Sequence, residues 1–244
     1  MGVSVKKLLM AAASTKGGET PIARLLWDGS VPINIVIDAN SHYAEWVYSS
    51  IEQIGAIREL VTTAGATTRN LAVPGQAWSD MLLNASTTDA AWVEDKKNVL
   101  ICGETTNSVF GGTSGAPVRT TREQVIADAS QYIAGRRATH DWIVLLCGTI
   151  PRGGTPAFAA KNALAESCDD YMQLNYRDMG AHAYCDFRAD PYFDNDGTDV
   201  DSTIQWMGLP NLSVEPSPEY IHPMGGARAA FAARIAAAVQ TVPA

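Results

Sequence analysis

Four cysteines in 244 residues are too few, and Cys102, Cys147, Cys168 and Cys185 too dispersed, to form a disulfide framework. With no C-x-x-C pair among them they read as small buried hydrophobes, and the redox compartment stays open. Long apolar runs are also missing. The longest near the N-terminus, Leu8 to Ala13 behind Lys6-Lys7, is too short to span a bilayer and short even for a secretion signal, although Ala11 to Ser14 resemble a cleavage site. Basic clusters are absent beyond Lys6-Lys7, Lys96-Lys97 and Arg136-Arg137. The balance of 18 Lys plus Arg against 26 Asp plus Glu leaves a net charge of −8, which offers a phosphate backbone no electrostatic footprint and excludes nucleic acid as a partner. No H-E-x-x-H, Walker or dinucleotide fingerprint occurs, so neither metal nor cofactor is called for. No G-x-S-x-G occurs either, which removes the α/β-hydrolase nucleophile elbow.

What is present is the composition of a packed globular chain, 46% hydrophobic and 18% charged, with length enough for one sizeable core. Residues 1 to 30 read as an appendage, because the apolar patch ends at Thr15-Lys16-Gly17-Gly18 before any strand pattern begins. Residues 31 to 244 then form one domain. Ile33 to Ile37 is a continuous β-branched run suited to a strand buried on both faces, and Tyr43 to Ile54 has helical apolar spacing. The alternation continues with a strand at Asn70 to Val73 and a helix near Trp78 to Asn84. Next come a strand at Val99 to Cys102 with a helix near Arg122 to Ala134, and a strand at Trp142 to Cys147 with a helix near Ala157 to Met179. A fifth run, Ala181 to Phe187, precedes an acidic loop, and an Ala-rich helix from about Gly226 to Val239 closes the chain. Strands alternating with helices imply an α/β fold with a parallel sheet covered on both faces, and ligands bind such sheets beyond the carboxyl ends of the strands.

Those strand ends carry Ser41, Gly75 and Asn107, and His222 precedes the last helix. Acyl transfer needs this set: a hydroxyl nucleophile, an imidazole to take its proton, and donors waiting for the oxyanion. The segment Ile35-Val36-Ile37-Asp38-Ala39-Asn40-Ser41 resembles the nucleophile block of the SGNH (GDSL-type) hydrolase family, with Ala39-Asn40-Ser41 where Gly-Asp-Ser is usual. Asn70 to Gln76 is similar to the second block, Glu104-Thr105-Thr106-Asn107-Ser108 to the third, and Glu219-Tyr220-Ile221-His222-Pro223 to the last. The resemblance implies a three-layer α/β/α sandwich around a flavodoxin-like parallel sheet of about five strands. It also implies a cofactor-independent esterase in which Ser41 is the nucleophile, His222 the base and Glu219 the acid that orients it. The Ser41 N–H, the Gly75 N–H and the Asn107 side chain would form the oxyanion hole. Small acyl esters are the implied substrates, with O-acetyl groups on carbohydrate leading. Ala39 and Thr105 replace glycines of the family pattern, and Glu219 replaces its aspartate.

Each residue has a plainer role as well: Ser41 as a helix cap, Gly75 as a turn former after Pro74, Asn107 as a loop residue, Glu219 as a solvated charge. Of four histidines, His42 adjoins Ser41 and points around the helix from it, while His140 and His182 lie at the amino ends of strands, which leaves His222. Asp194, Asp196, Asp199 and Asp201 surround Gly197 as in a calcium loop, but Tyr192 and Thr203 stand where such a loop needs Asp and Glu. The alternative to an enzyme is a non-catalytic carbohydrate-binding or structural module on the same fold. Lys6-Lys7-Leu8-Leu9-Met10-Ala11-Ala12-Ala13 resembles the start of some bacteriophage tail proteins, and Trp78 and Trp206, with the segment through Pro210, are candidates for a sugar platform. Compartment stays open, with the virion surface and the extracellular space as the settings suggested for a soluble chain. The oligomeric state is unspecified.

Overall fold

In the computed structural model of the chain the described residues are 32–43, 67–112, 115–152, 158–190, 193, 205–206, 223–239 and 241–242. The expected appendage, most of the helix over Tyr43 to Ile54, the acidic loop from Asp194 to Asp201, and both Glu219 and His222 lie outside them.

Ile33, Ile35, Val36 and Ile37 are β-branched residues that pack well on a pleated surface, and they form strand β1 (Ile33–Ala39), buried along its whole length. Strands β2 (Thr67–Asn70), β3 (Lys97–Gly103), β4 (Ile143–Cys147) and β5 (Ala183–Cys185) join it in the order β2-β1-β3-β4-β5, with every pairing parallel. The expected flavodoxin-like order is therefore present, and its direction reverses between β1 and β3, where such folds open a crevice at the strand ends.

The period of two along β1 divides the core. Ile33, Ile35, Ile37 and Ala39 face a layer containing Phe187, Phe231, Ile235 and Val239. Val36 faces a second layer containing Trp78, Met81, Tyr132, Trp142 and Met172. Helix α6 (Gly225–Val239) supplies the first layer, with the Phe231 ring stacked 4.3 Å from that of Phe187. Helices α1 (Trp78–Leu83), α2 (Ala85–Asp89), α3 (Thr106–Phe110), α4 (Arg122–Thr139) and α5 (Ala159–Asn175) lie between the other strands. The Thr121 side chain caps α4 by accepting from the Gln124 N–H at 3.4 Å. A two-residue antiparallel ribbon, β6 (Gln205–Trp206) and β7 (Pro223–Met224), stands apart from the main sheet.

Several element boundaries differ from expectation: α4 runs on to Thr139, five residues past Ala134, and β3 extends beyond Val99 to Cys102 at both ends. Strand β2 precedes the apolar run Leu71 to Val73 instead of containing it, because it is an edge strand whose residues are exposed or half-buried and carry no apolar signal. Helix α5 stops at Asn175, and the chain turns through Gly180 at φ +94, where the Ala181 N–H reaches the Tyr176 carbonyl at 2.8 Å. Strand β5 is correspondingly shorter than Ala181 to Phe187. Trp78 is fully buried in the second core layer, which removes it from any sugar platform. All four cysteines are buried free thiols, as their composition suggested.

Candidate active site

At the carboxyl end of β1 the chain passes through Asn40 into a single 3-10 turn, Ser41–Tyr43, closed by the Tyr43 N–H on the Asn40 carbonyl at 3.1 Å. Ser41 is 8% exposed. Two contacts fix the turn from below. Tyr43 meets the edge of Phe231 at 5.1 Å, and Asn70 at the end of β2 donates from Nδ2 to the Tyr43 carbonyl at 2.8 Å. Gly103 ends β3 without a side chain for a steric reason: a Cβ there would lie 2.9 Å from the Tyr43 hydroxyl and 2.8 Å from Cys147 Cβ.

The second segment, Val73 to Gln76, is sewn to the end of β1. The Val73 N–H donates to the Ala39 carbonyl at 3.0 Å, and Gln76 Nε2 donates to the same carbonyl at 2.6 Å and to Asp38 Oδ1 at 3.1 Å. The Gln76 N–H returns to the Val73 carbonyl at 3.3 Å around Pro74 and Gly75, and Gly75 has φ +79. That is the conformation a type II turn demands after proline, so the turn-forming role of Gly75 holds. Among the described residues nothing accepts a hydrogen bond from the Gly75 N–H. The Gly75 carbonyl packs so closely on Gly112 that a Cβ at 112 would lie 1.7 Å from it, and Gly111 before it has φ +92, so both positions after α3 favour glycine.

The third segment runs from β3 into α3. Asn107 Nδ2 donates to the Gln76 carbonyl at 3.0 Å, and Asn107 is 6% exposed. The structure thus brings the segments that hold Ser41, Gly75 and Asn107 to one place at the strand ends.

Glu104 and Asp38 are charges inside an apolar frame to which the sequence reading assigned no role. Asp38 Oδ2 accepts from Thr88 Oγ1 and the Tyr132 hydroxyl, each at 2.6 Å, and burial still raises its carboxyl above the usual range. Glu104 accepts from the Asn107 N–H, from the Ser108 N–H at 3.1 Å, from Ser108 Oγ at 2.7 Å and from Asn40 Nδ2 at 3.4 Å. One carboxyl therefore ties Asn40, at the head of the Ser41 turn, to the start of α3.

Burial pushes Glu104 from an ordinary 4.5 up to about 7 against those four donors. In that window the folded chain holds a proton that the unfolded chain has released. The stabilising contribution is complete below about pH 4.5 and is lost as pH rises through 7. Glu104→Gln is expected to flatten the fall of unfolding free energy across this window by up to about 1.4 kcal/mol per pH unit. Urea titrations from pH 5 to 7.5 check this, and identical slopes in the two proteins would place the titration elsewhere.

His140 caps the end of α4 and stacks 4.8 Å from Trp92, and His182 Nδ1 accepts from the Val144 N–H at 3.0 Å beside β4. Burial lowers the affinity of His182 for a proton. Both are thus engaged away from the strand ends. His42 follows Ser41 within the 3-10 turn. Ser114, the serine of the glycine-rich loop Gly111-Gly112-Thr113-Ser114-Gly115, lies outside the described residues, as do Glu219 and His222. Among the described residues no three His, Cys, Asp or Glu side chains are placed to share a metal ion, and no helix is long and apolar enough to cross a membrane.

No protein-family model and no curated protein matches the chain. Solved structures do match. The chain is similar to a member of the lipolytic protein G-D-S-L family from Veillonella parvula, with TM-score 0.62 and 12% identity over 84% of this chain and 96% of that one. It is similar to a catalytic mutant of an acetylxylan esterase from Geobacillus stearothermophilus, with TM-score 0.59 and 9% identity over 83% of this chain and 91% of that one. An acetyl xylan esterase, AlAXEase, aligns with TM-score 0.55 and 13% identity over 83% of this chain and 97% of that one. At these identities the likeness establishes the fold, which is the one that GDSL-type lipases and esterases share.

Proposed function

We propose that the chain is a serine esterase of the SGNH type acting on small acyl esters, with O-acetyl groups on carbohydrate as the leading substrate class. The observation that carries this reading is the convergence of the Ser41, Gly75 and Asn107 segments at the switch point of the sheet, joined by the Gln76 and Glu104 bonds. The acetylxylan esterases among the similar structures support the choice of acyl group.

In this reading Ser41 Oγ attacks the ester carbonyl carbon as His222 takes its proton. The tetrahedral oxyanion is received by the Ser41 N–H, the Gly75 N–H and the remaining Asn107 Nδ2 hydrogen. Collapse breaks the bond to the alcohol, which leaves with the proton from His222. Water then attacks the acyl group on Ser41, His222 acting as base again, and the acid departs. Glu219 holds the imidazole. No step calls for a metal or cofactor.

Hydrolysis of p-nitrophenyl acetate and of acetylated xylo-oligosaccharides, together with mapping of a serine-reactive phosphonate, tests the reading. Label on Ser41 with turnover supports it. Absence of both, with glycan binding retained, would leave a carbohydrate-binding module. Asn107→Ala is expected to lower kcat by about a hundred- to a thousandfold with little change in KM, since the amide acts on charge that develops only at the transition state. An effect confined to KM would make Asn107 a ground-state contact.

A further inference from the structure

Past β4 the chain leaves the sheet through Gly148 to Arg152, which is held both by its backbone and by its guanidinium. One buried amide on α5 brackets its backbone: Asn162 Oδ1 accepts from the Arg152 N–H at 3.0 Å, and Asn162 Nδ2 donates to the Arg152 carbonyl at 2.7 Å. The guanidinium then lies over the Phe110 ring, 4.4 Å from its centroid, and Phe110 is braced edge-on by Phe158 at 5.4 Å. From that seat Nη2 reaches Asn107 Oδ1 at 3.5 Å.

The chemistry of the two ends determines how the Asn107 amide lies. A guanidinium only donates, and the Gln76 carbonyl only accepts. With Arg152 at one end and Gln76 at the other, Oδ1 must face Arg152 and Nδ2 must face Gln76. A flipped amide would set donor against donor and acceptor against acceptor. The Asn107 backbone N–H is already spent on Glu104. What remains is the second hydrogen on Nδ2, which is the one an oxyanion would need. At 3.5 Å the contact is long, as contacts of catalytic groups often are before substrate closes the site. The positive charge also polarises the amide toward donation.

We propose that Arg152 is a positioning residue of the oxyanion hole, holding the Asn107 amide in the single orientation that offers Nδ2–H to substrate. The proposal rests on the esterase reading above. It separates Arg152 from Lys161, whose Nζ donates to the Phe110 carbonyl at 3.3 Å and so closes the end of α3 without touching the amide.

The test is a double-mutant cycle on p-nitrophenyl acetate, with Arg152→Met and Arg152→Lys each made in wild type and in Asn107→Ala. Arg152→Met is expected to lower kcat about ten- to a hundredfold with KM within about twofold, and Arg152→Lys to recover part of the loss. In Asn107→Ala the same change should alter kcat by no more than about twofold, since no amide remains to orient. Thermal melts accompany each variant. Should Arg152→Met fail to fold, Arg152→Lys and Arg152→Gln complete the cycle. Additive losses in the two backgrounds, or a loss confined to KM, would overturn the assignment while leaving the esterase reading intact. A wild type neither active nor labelled at Ser41 overturns both.

Discussion

Ser41→Ala is expected to lose turnover by about a millionfold while keeping its fold. The size follows from the coupling that the proposed mechanism requires: nucleophile and base act as one unit, so removing either costs about as much as removing the whole set. What survives is the modest rate over water that binding and an oxyanion hole supply alone, about a thousand- to ten-thousandfold. Structure argues that the fold should not suffer. The serine follows β1 in a 3-10 turn that is anchored by its neighbours, through the Tyr43 N–H, the Tyr43 ring on Phe231 and Asn70 on the Tyr43 carbonyl. Only a cap-sized contribution of about 1 kcal/mol is at risk, a shift in Tm of about 2 to 4 °C for a chain of this size. Activity on p-nitrophenyl acetate, phosphonate labelling and a thermal melt read the three consequences separately. Retained activity in a folded mutant would move the nucleophile elsewhere, with Ser114 in the glycine-rich loop the first to examine.

The parts of the fold that could be read from the sequence are those in which burial and periodicity agree. Strands β1, β3 and β4 are apolar because they are central, and α6 announces itself through alanine content. Strand β2 was misplaced because Thr67 to Asn70 is itself polar and lies at the edge of the sheet, while Leu71 to Val73 are apolar and already outside it. That Ser41, Gly75 and Asn107 follow strands to one end of the sheet was legible, because position after a strand end is a property of the chain order. Glu104 and Arg152 were not. Their roles depend on which segments lie across from them: Asn40 and the start of α3 for Glu104, Phe110 and the Asn107 amide for Arg152. Local pattern carries no trace of such pairings. Asp38 offered a fainter signal, a carboxylate within a β-branched run, and its explanation is again distant, in Thr88, Tyr132 and Gln76.

Glu219→Gln is expected to depress turnover by about ten- to ten-thousandfold, the upper end being the cost of losing the correct histidine tautomer in a serine triad. A second signature accompanies the loss. His222 must be neutral to act as base, so wild-type activity should rise with pH around a midpoint of roughly 6 to 7.5 and then level off. A carboxylate beside the ring favours imidazolium, and a neutral amide does not, so the midpoint in Glu219→Gln should move down. Glu104 complicates the wild-type profile, because it too releases a proton near 7. Its ionisation strengthens the acceptor beneath α3, so it also changes the site in the same window. The two groups separate by mutation: Glu104→Gln should remove only the Glu104 contribution and leave a histidine midpoint, whereas Glu219→Gln should shift that midpoint itself. If turnover and midpoint are both unchanged in Glu219→Gln, Glu219 belongs to solvent, a backbone carbonyl holds the imidazole, and the enzyme works as a Ser-His dyad.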